Sequence, residues 1–177
     1  MAKKIQDEFT KKLSQHISSH YGEGEQAKQG DLARIVNQRH TSRLLHLLED
    51  AKSKGAQIIY GGVIDEAERF ISPTLLTDIP SDAIIMQEEI FGPLLPIIPF
   101  NHLNEVIDQI NAAPKPLALY IWSSDEDHIE KIIRSTSAGG TCINHNLAHA
   151  LQSNLPFGGV NNSGIGSYRG EIGRAHV

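Results

Sequence analysis

Residues 86–93 contain two adjacent carboxylates, an aromatic ring and a Gly-Pro turn signal. Glu88 and Glu89 could accept hydrogen bonds from sugar hydroxyls while Phe91 covers a flat heterocycle, which is the chemistry of a nucleotide site. The competing interpretation is a solvated loop, because charged residues before a turn mostly stay in water. Judged by the local pattern alone, the solvated loop is favoured.

Cys142 is the only cysteine in the chain, so no internal disulfide and no cysteine-based zinc site can form. A reactive thiolate needs an electropositive and partly exposed environment. Cys142 instead lies in a short apolar run between Thr141 and Ile143. The sequence therefore predicts a buried thiol that packs as a small hydrophobic side chain.

Two histidine pairs have the spacing of one helical turn: His16 with His20, and His145 with His149. The first pair has neither the glutamate base of a metalloprotease helix nor an evident third ligand. The second pair follows a predicted strand, where hydrogen bonds to substrate or backbone are favoured over a metal. We therefore predict no metal site.

Residues 155–166 are too rich in glycine for a helix or a strand, and they predict an ordered loop held by Phe157. Residues 164–170 resemble a dinucleotide-binding fingerprint only superficially. Their glycine spacing is wrong, and neither a preceding strand nor a following helix is predicted. No phosphate-binding loop is expected.

The composition describes an ordinary soluble globular protein: 177 residues, 40% hydrophobic, 21% charged, and a net charge of -5. This length fits one domain with one core. The scattered basic pairs do not form a nucleic-acid-binding stripe. Because neither a signal peptide nor a membrane-spanning run is evident, we expect a cytoplasmic protein without a membrane span.

The first half of the chain is predicted to contain two helices followed by two strands. Apolar residues at every fourth position predict a helix over residues 3–20. A second helix is predicted through Leu44 and Leu48, with Thr41 or Ser42 as its N-cap and Gly55 at its end. Strands are predicted at 56–60 and at 70–76, the latter interrupted at Pro73.

From residue 94 to residue 144 the pattern is strand, helix, strand, helix, strand. This order predicts an α/β fold with a mostly parallel sheet and flanking helices. Ligands of such sheets bind beyond the carboxyl ends of the strands. The polar residues expected there are Asn101, the Ser123-Ser124 pair and residues 144–146.

Four motifs in fixed order connect the chain to a known family. They are Glu-Glu-Ile-Phe-Gly-Pro at 88–93, Lys-Pro-Leu-Ala-Leu-Tyr at 115–120, Asn-Leu-Pro-Phe-Gly-Gly at 154–159 and Asn-Ser-Gly at 162–164. Together they resemble the C-terminal half of an aldehyde dehydrogenase of the class 3, fatty-aldehyde type. The resemblance covers about residues 4–170 and implies part of the catalytic domain of that fold.

The resemblance implies the oxidation of aldehydes to carboxylic acids with NAD or NADP, through a thiohemiacetal on a cysteine. It implies that Glu89 holds the nicotinamide ribose hydroxyls and that Phe91 presses on the nicotinamide. It places Asn144 and Phe157 near the substrate channel. It also implies a homo-oligomer for the full-length enzyme.

The family's nucleophile, in a Gly-Gln-x-Cys motif, its base glutamate and its Rossmann domain lie upstream of the region that this sequence resembles. Cys142 matches none of them. We therefore expect no dehydrogenase activity from this chain alone. One hypothesis is a truncated dehydrogenase, and the other is a non-catalytic half-domain that pairs with full-length subunits or with a separate N-terminal half.

Residues 171–177 depart from the family pattern, which continues into an aromatic-bearing segment. The heptapeptide can be encoded by GAG ATC GGA AGA GCA CAC GTC, which contains the start of a common sequencing adapter. We therefore predict an assembly scar that takes no part in the fold. Re-amplification of the locus from source DNA tests this hypothesis.

Overall fold

The computed structural model describes residues 1–170; residues 171–177, and with them the predicted tail, lie outside the described part. The chain divides into two compact units, Met1–Pro99 and a second one that begins at Phe100. This differs from the single core expected from length, because the main cluster of buried side chains draws its members from the first unit.

The helices of the first unit are close to those predicted. A 3-10 turn at Lys3–Ile5 leads into α1 (Gln6–Tyr21), which ends where Gly22 takes φ 79°. A 3-10 turn at Gly24–Lys28 and α2 (Gln38–Ser53) follow. Gly55, at φ 110°, stops α2 as predicted.

The N-cap of α2 is Asn37, whose side-chain oxygen accepts a hydrogen bond of 2.9 Å from the His40 amide. The predicted caps, Thr41 and Ser42, lie inside the helix instead. Thr41 is fully buried and its hydroxyl donates to the Asn37 carbonyl. Three residue types that all favour caps stand close together here, so the sequence alone did not identify the right one.

The strands of the first unit are β1 (Gln57–Tyr60), β2 (Ile64–Asp65), β3 (Phe70–Ile71), β4 (Thr74–Thr77) and β5 (Leu94–Pro96). One sheet has the order β1-β4-β5, with β1 antiparallel and β5 parallel to β4. β2 and β3 form an antiparallel pair. Pro73 separates β3 from β4, as predicted, and β2 was not predicted.

The core of the first unit lies between α2 and the three-stranded sheet. Burial of these apolar side chains is the main stabilising term of the unit. The cluster comprises Leu44, Leu47, Leu48, Ala51, Ala56, Ile71, Leu76, Ala83, Ile85 and Leu94.

The second unit contains α3 (Leu103–Ala112), β6 (Ala118–Ile121), α4 (Glu126–Ser135), β7 (Gly140–Ile143) and α5 (Ala148–Leu151). β6 and β7 are parallel, and Tyr120 is paired with Cys142. Asp125 caps α4, since its side-chain oxygen accepts a 3.0 Å hydrogen bond from the His128 amide. The short helix α5 was not predicted.

The predicted α/β class, with sheets and flanking helices, is confirmed. The strand pairing is mixed rather than mostly parallel, since β4/β5 and β6/β7 are parallel while β1/β4 and β2/β3 are antiparallel. A short turn connects β2 to β3, and the chain passes from β1 to β4 through this strand pair without a crossover helix. Within residues 1–170, no helix has the length and apolarity needed to cross a membrane.

Candidate functional site

The predicted nucleotide-binding residues lie on the loop of residues 87–93, which joins a 3-10 turn at Ile84–Met86 to β5. The amides of Gln87 and Glu88 donate to the Ile84 carbonyl at 2.9 and 3.1 Å, which continues the turn into the loop. Glu89 is exposed, and the Phe91 side chain is 78% exposed. This loop therefore presents a carboxylate and an aromatic ring to the outside.

Phe91 holds a left-handed backbone conformation, with φ 45°. This region is sterically unfavourable for a bulky residue, and such strain is maintained only where the surrounding structure fixes it. Here Ile90 packs against the core cluster on one side of Phe91. On the other side, a Cβ added at Gly92 would lie 2.5 Å from Leu44 Cδ2, so the backbone approaches α2 closely.

The two carboxylates of the loop differ in their surroundings. Glu88 faces Arg43 on α2, with its Oε2 4.0 Å from Nη1. A partly exposed pair at this distance contributes little stability. Glu88 therefore has a structural partner, whereas Glu89 remains the carboxylate available to a ligand.

Asn144, predicted near the substrate channel, follows β7 with a left-handed φ of 52°. Its side-chain oxygen accepts from the Ser123 amide and its side-chain nitrogen donates to the Ser123 carbonyl, both at 2.9 Å. The amide group thus ties the end of β7 to the end of β6. A substrate contact would have to use the second lone pair of the oxygen or the second N–H.

Phe157 anchors the glycine-rich loop, as predicted. Its backbone exchanges two hydrogen bonds with Tyr168, at 2.8 and 2.9 Å. Its half-buried ring lies 5.8 Å from the Tyr168 ring and 5.5 Å from the His149 ring. The loop is ordered by these aromatic contacts rather than by a helix or a long strand.

Cys142 is buried, as predicted, but it has a polar partner that sequence reasoning missed. Its Sγ lies 3.1 Å from Nδ1 of His149, and both residues are 8% exposed. The prediction that His149 bonds to substrate or backbone is therefore wrong for Nδ1. The partners are 7 residues apart, and the contact depends on the unpredicted helix α5, so no local pattern could indicate it.

Of the other histidines in the two predicted pairs, His20 and His145 make local contacts with the backbone. His20 Nδ1 lies 2.8 Å from the His16 carbonyl oxygen, and His145 Nδ1 lies 2.6 Å from the Asn146 carbonyl oxygen. Among residues 1–170, no three His, Cys, Asp or Glu side chains are placed to hold a metal ion together.

The structure thus places the predicted residues in two groups. Glu89 and Phe91 share the 87–93 loop of the first unit, and Asn144 and Phe157 belong to the second unit. Within the second unit, Cys142, His149 and Phe157 form a continuous series of contacts. An exposed carboxylate beside an exposed ring could bind the ribose and the flat base of a nucleotide.

Comparisons of the sequence and of the structure with known proteins all point to the same family. The profile of the aldehyde dehydrogenase family matches residues 1–176. "Aldehyde dehydrogenase, dimeric NADP-preferring" of Canis lupus familiaris is 43% identical over 94% of this chain and 36% of its own length. "Aldehyde dehydrogenase family 3 member A2" of Pongo abelii is 42% identical over 94% of this chain and 33% of its own.

A solved structure, the substrate-bound state of Staphylococcus aureus AldH, superimposes with a TM-score of 0.88 at 43% identity. The match covers 97% of this chain and 37% of that one. The chain thus spans little more than a third of the length of the proteins it resembles. On the family profile and these relatives, the chain belongs to the aldehyde dehydrogenase family.

Proposed function

We propose that this chain contributes one wall of the cofactor site, and part of the substrate channel, to the NAD(P)-dependent oxidation of aldehydes to carboxylic acids. The enzyme would be of the class 3, fatty-aldehyde type, and the chain would form part of its catalytic domain. The observation that carries the proposal is the strained and exposed Phe91 beside Glu89. Strain of this kind is concentrated at ligand-binding sites.

The residues of the 87–93 loop suit NAD or NADP. The Glu89 carboxylate can accept hydrogen bonds from both hydroxyls of a ribose, and the Phe91 ring offers an apolar face to a planar ring. NAD(P)+, when bound, supplies the acceptor for the hydride that leaves the substrate. The chain's own contribution is to orient that half of the cofactor.

The described residues do not supply the nucleophile in this proposal. A thiol attacks an aldehyde as the exposed thiolate. Cys142 is 8% exposed and its Sγ is engaged with His149. We therefore propose that the nucleophile comes from the part of the family that this chain does not span, and that the isolated chain is inactive.

Asn144 and Phe157 are proposed as the contribution of the second unit to the aldehyde channel. Phe157 supports this role by holding the glycine-rich loop in one conformation. The aldehyde substrate and the homo-oligomeric state of the full-length enzyme are proposed on the same family basis. The cytoplasmic location stays a prediction from the sequence.

The test compares the chain alone with the chain grafted onto the upstream part of the Staphylococcus aureus relative. With a long-chain aldehyde, only the graft should reduce NAD+ or NADP+. Glu89→Gln in the graft should raise the KM for the cofactor roughly ten-fold, the effect of one hydrogen bond made by a charged group. The matched variant Glu88→Gln should change this KM little, because Glu88 faces Arg43.

Two results would contradict the proposal. One is hydride transfer by the isolated chain that Cys142→Ala abolishes, because Cys142 would then be a nucleophile. The other is an unchanged cofactor KM in the Glu89→Gln graft. Titration calorimetry of the isolated chain with NAD should show no micromolar binding, since one wall of a cleft does not enclose the ligand.

A further inference from the structure

Helix α2 is tied to the segment that carries the candidate cofactor residues at several points along its length. Near its C-terminus, Asp50 accepts a 2.7 Å hydrogen bond from the Ile84 amide, and Lys54 donates to the Asp82 carbonyl at 2.7 Å. In the first half of the helix, Leu44 lies against Gly92. The segment before β5 is therefore held along one rigid helix.

The contact nearest to Phe91 is made by Arg43. Its guanidinium donates from Nη1 to the Glu89 carbonyl at 3.1 Å and from Nη2 to the Ile90 carbonyl at 2.5 Å. The Arg43 side chain is only 28% exposed, so these charged hydrogen bonds are partly shielded from water. One side chain thus fixes two successive peptide groups of the 87–93 loop.

These two carbonyls determine how the loop presents its ligand-binding side chains. The Ile90 carbonyl belongs to the peptide that precedes Phe91, so its direction sets the φ of Phe91 once Gly92 is held against Leu44. The Glu89 carbonyl fixes the backbone from which the Glu89 side chain leaves. Without Arg43, the strained φ of 45° at Phe91 would lose one of its constraints.

We infer that Arg43 is the positioning residue of the cofactor loop. It does not touch the cofactor, and it acts by holding Glu89 and Phe91 in the geometry that binds it, an inference that rests on the proposed function. A guanidinium offers several donors in a fixed planar fork, whereas a lysine ammonium is a single point of attachment. Arginine is therefore required here, and lysine should replace it only in part.

The first test measures the loop in the full chain by ¹⁵N relaxation. Order parameters of Ile90, Phe91 and Gly92 should be about 0.85 in the wild type and fall below about 0.6 in Arg43→Ala. Arg43→Lys should lie between them. Arg39→Ala removes the same charge from an exposed position four residues earlier on α2 and should leave the loop unchanged. An equally rigid loop in Arg43→Ala overturns the inference.

Arg43→Lys keeps the charge and the aliphatic stem, so the test remains valid if Arg43→Ala fails to fold. A Lys variant as rigid as the wild type would contradict the requirement for a fork of donors. Thermal unfolding of each variant reports whether α2 itself is intact.

The second test uses the graft with the Staphylococcus aureus relative and measures the KM for cofactor and aldehyde separately. Arg43→Ala should raise the KM for the cofactor roughly ten-fold and leave the KM for the aldehyde almost unchanged. A general loss of structure would instead reduce kcat and change both KM values. If Glu89→Gln raises the cofactor KM and Arg43→Ala does not, this inference fails. If neither does, the proposed function fails as well.

Discussion

At the scale of single residues, the Cys142–His149 contact indicates that the Cys142 thiol is a structural group rather than a reactive one. The two side chains lie 3.1 Å apart in a buried site, and the His149 ring is also in contact with Tyr120 and Phe157. Gly140 allows this arrangement, because a Cβ there would lie 2.4 Å from His149 Cδ2. The thiol is thus part of the packing beneath the end of β7.

Cys142→Ala should lower the free energy of unfolding by about 1–3 kcal/mol. The substitution removes the sulfur from a packed site and leaves a buried ring nitrogen without its partner. Urea unfolding followed by circular dichroism measures this change. Thr141→Ala, at the exposed neighbouring position, is the matched control and should change the value by less than about 0.5 kcal/mol.

Because Cys142 is buried, its thiol should react slowly with external reagents. Labelling of Cys142 by an aromatic disulfide should be much slower in the native chain than in denaturant, because the sulfur is accessible only after local opening. A native thiol that reacts as quickly as the denatured one would show that the site is open.

At the scale of elements, α2 connects core and candidate site. Its inner face supplies Leu44, Leu47 and Leu48 to the core. Its polar side chains hold the segment that leads to Phe91. The Ile84 amide and then Lys54 keep the pKa of Asp50 below its ordinary value.

The lowered pKa of Asp50 has a definite pH consequence. Its stabilising contribution is complete above the unfolded-state pKa, about 4, and is lost as the pH falls through the lower folded-state pKa. Asp50→Asn should therefore unfold at lower urea concentration than the wild type at neutral pH, and this difference should shrink below about pH 4. Glu49→Gln, exposed on the same helix, is the control. A difference that persists unchanged in acid would contradict the ionic origin.

Elements whose signals are local were predictable from the sequence. Examples are the break at Pro73 between β3 and β4 and the stop of α2 at Gly55, because each signal lies within a few residues of the structure it produces. β2 was not predicted because a strand of two residues is too short to show an alternating hydrophobic pattern, and it is defined only by its pairing with β3. α5 was missed because it has only four residues and follows Leu147 at φ 61°.

The same limit applies to the candidate site. The sequence singled out Glu89 and Phe91, which are neighbours in the chain. It could not reveal Arg43, which reaches the loop from 46 residues away. Nor could it show that Phe91 has φ 45°, because that angle results from contacts on both sides of the loop.

At the scale of the whole molecule, several large apolar side chains of the second unit are exposed. Leu147 is 59% exposed, Leu151 80% and Ile165 103%. Exposed apolar surface marks a place where another surface normally packs. The truncated-dehydrogenase hypothesis predicts uncovered surface of this kind, whereas the half-domain hypothesis predicts a chain that behaves as a monomer.

The isolated chain should accordingly bind the dye ANS and associate at raised concentration. The double variant Leu151→Ser with Ile165→Ser should reduce both effects, because it removes the two most exposed of these side chains. Val36→Ser, at a 74% exposed site in the first unit, is the matched control. Sedimentation as a monomer without ANS fluorescence would instead favour the half-domain hypothesis.

The division of the chain at Pro99 also bears on its biosynthesis. Every residue of the main core cluster, from Leu44 to Leu94, precedes that boundary. Domains commonly fold in order as they leave the ribosome. The first unit can therefore complete its core, and fix the strained loop at Phe91, before the second unit has been translated.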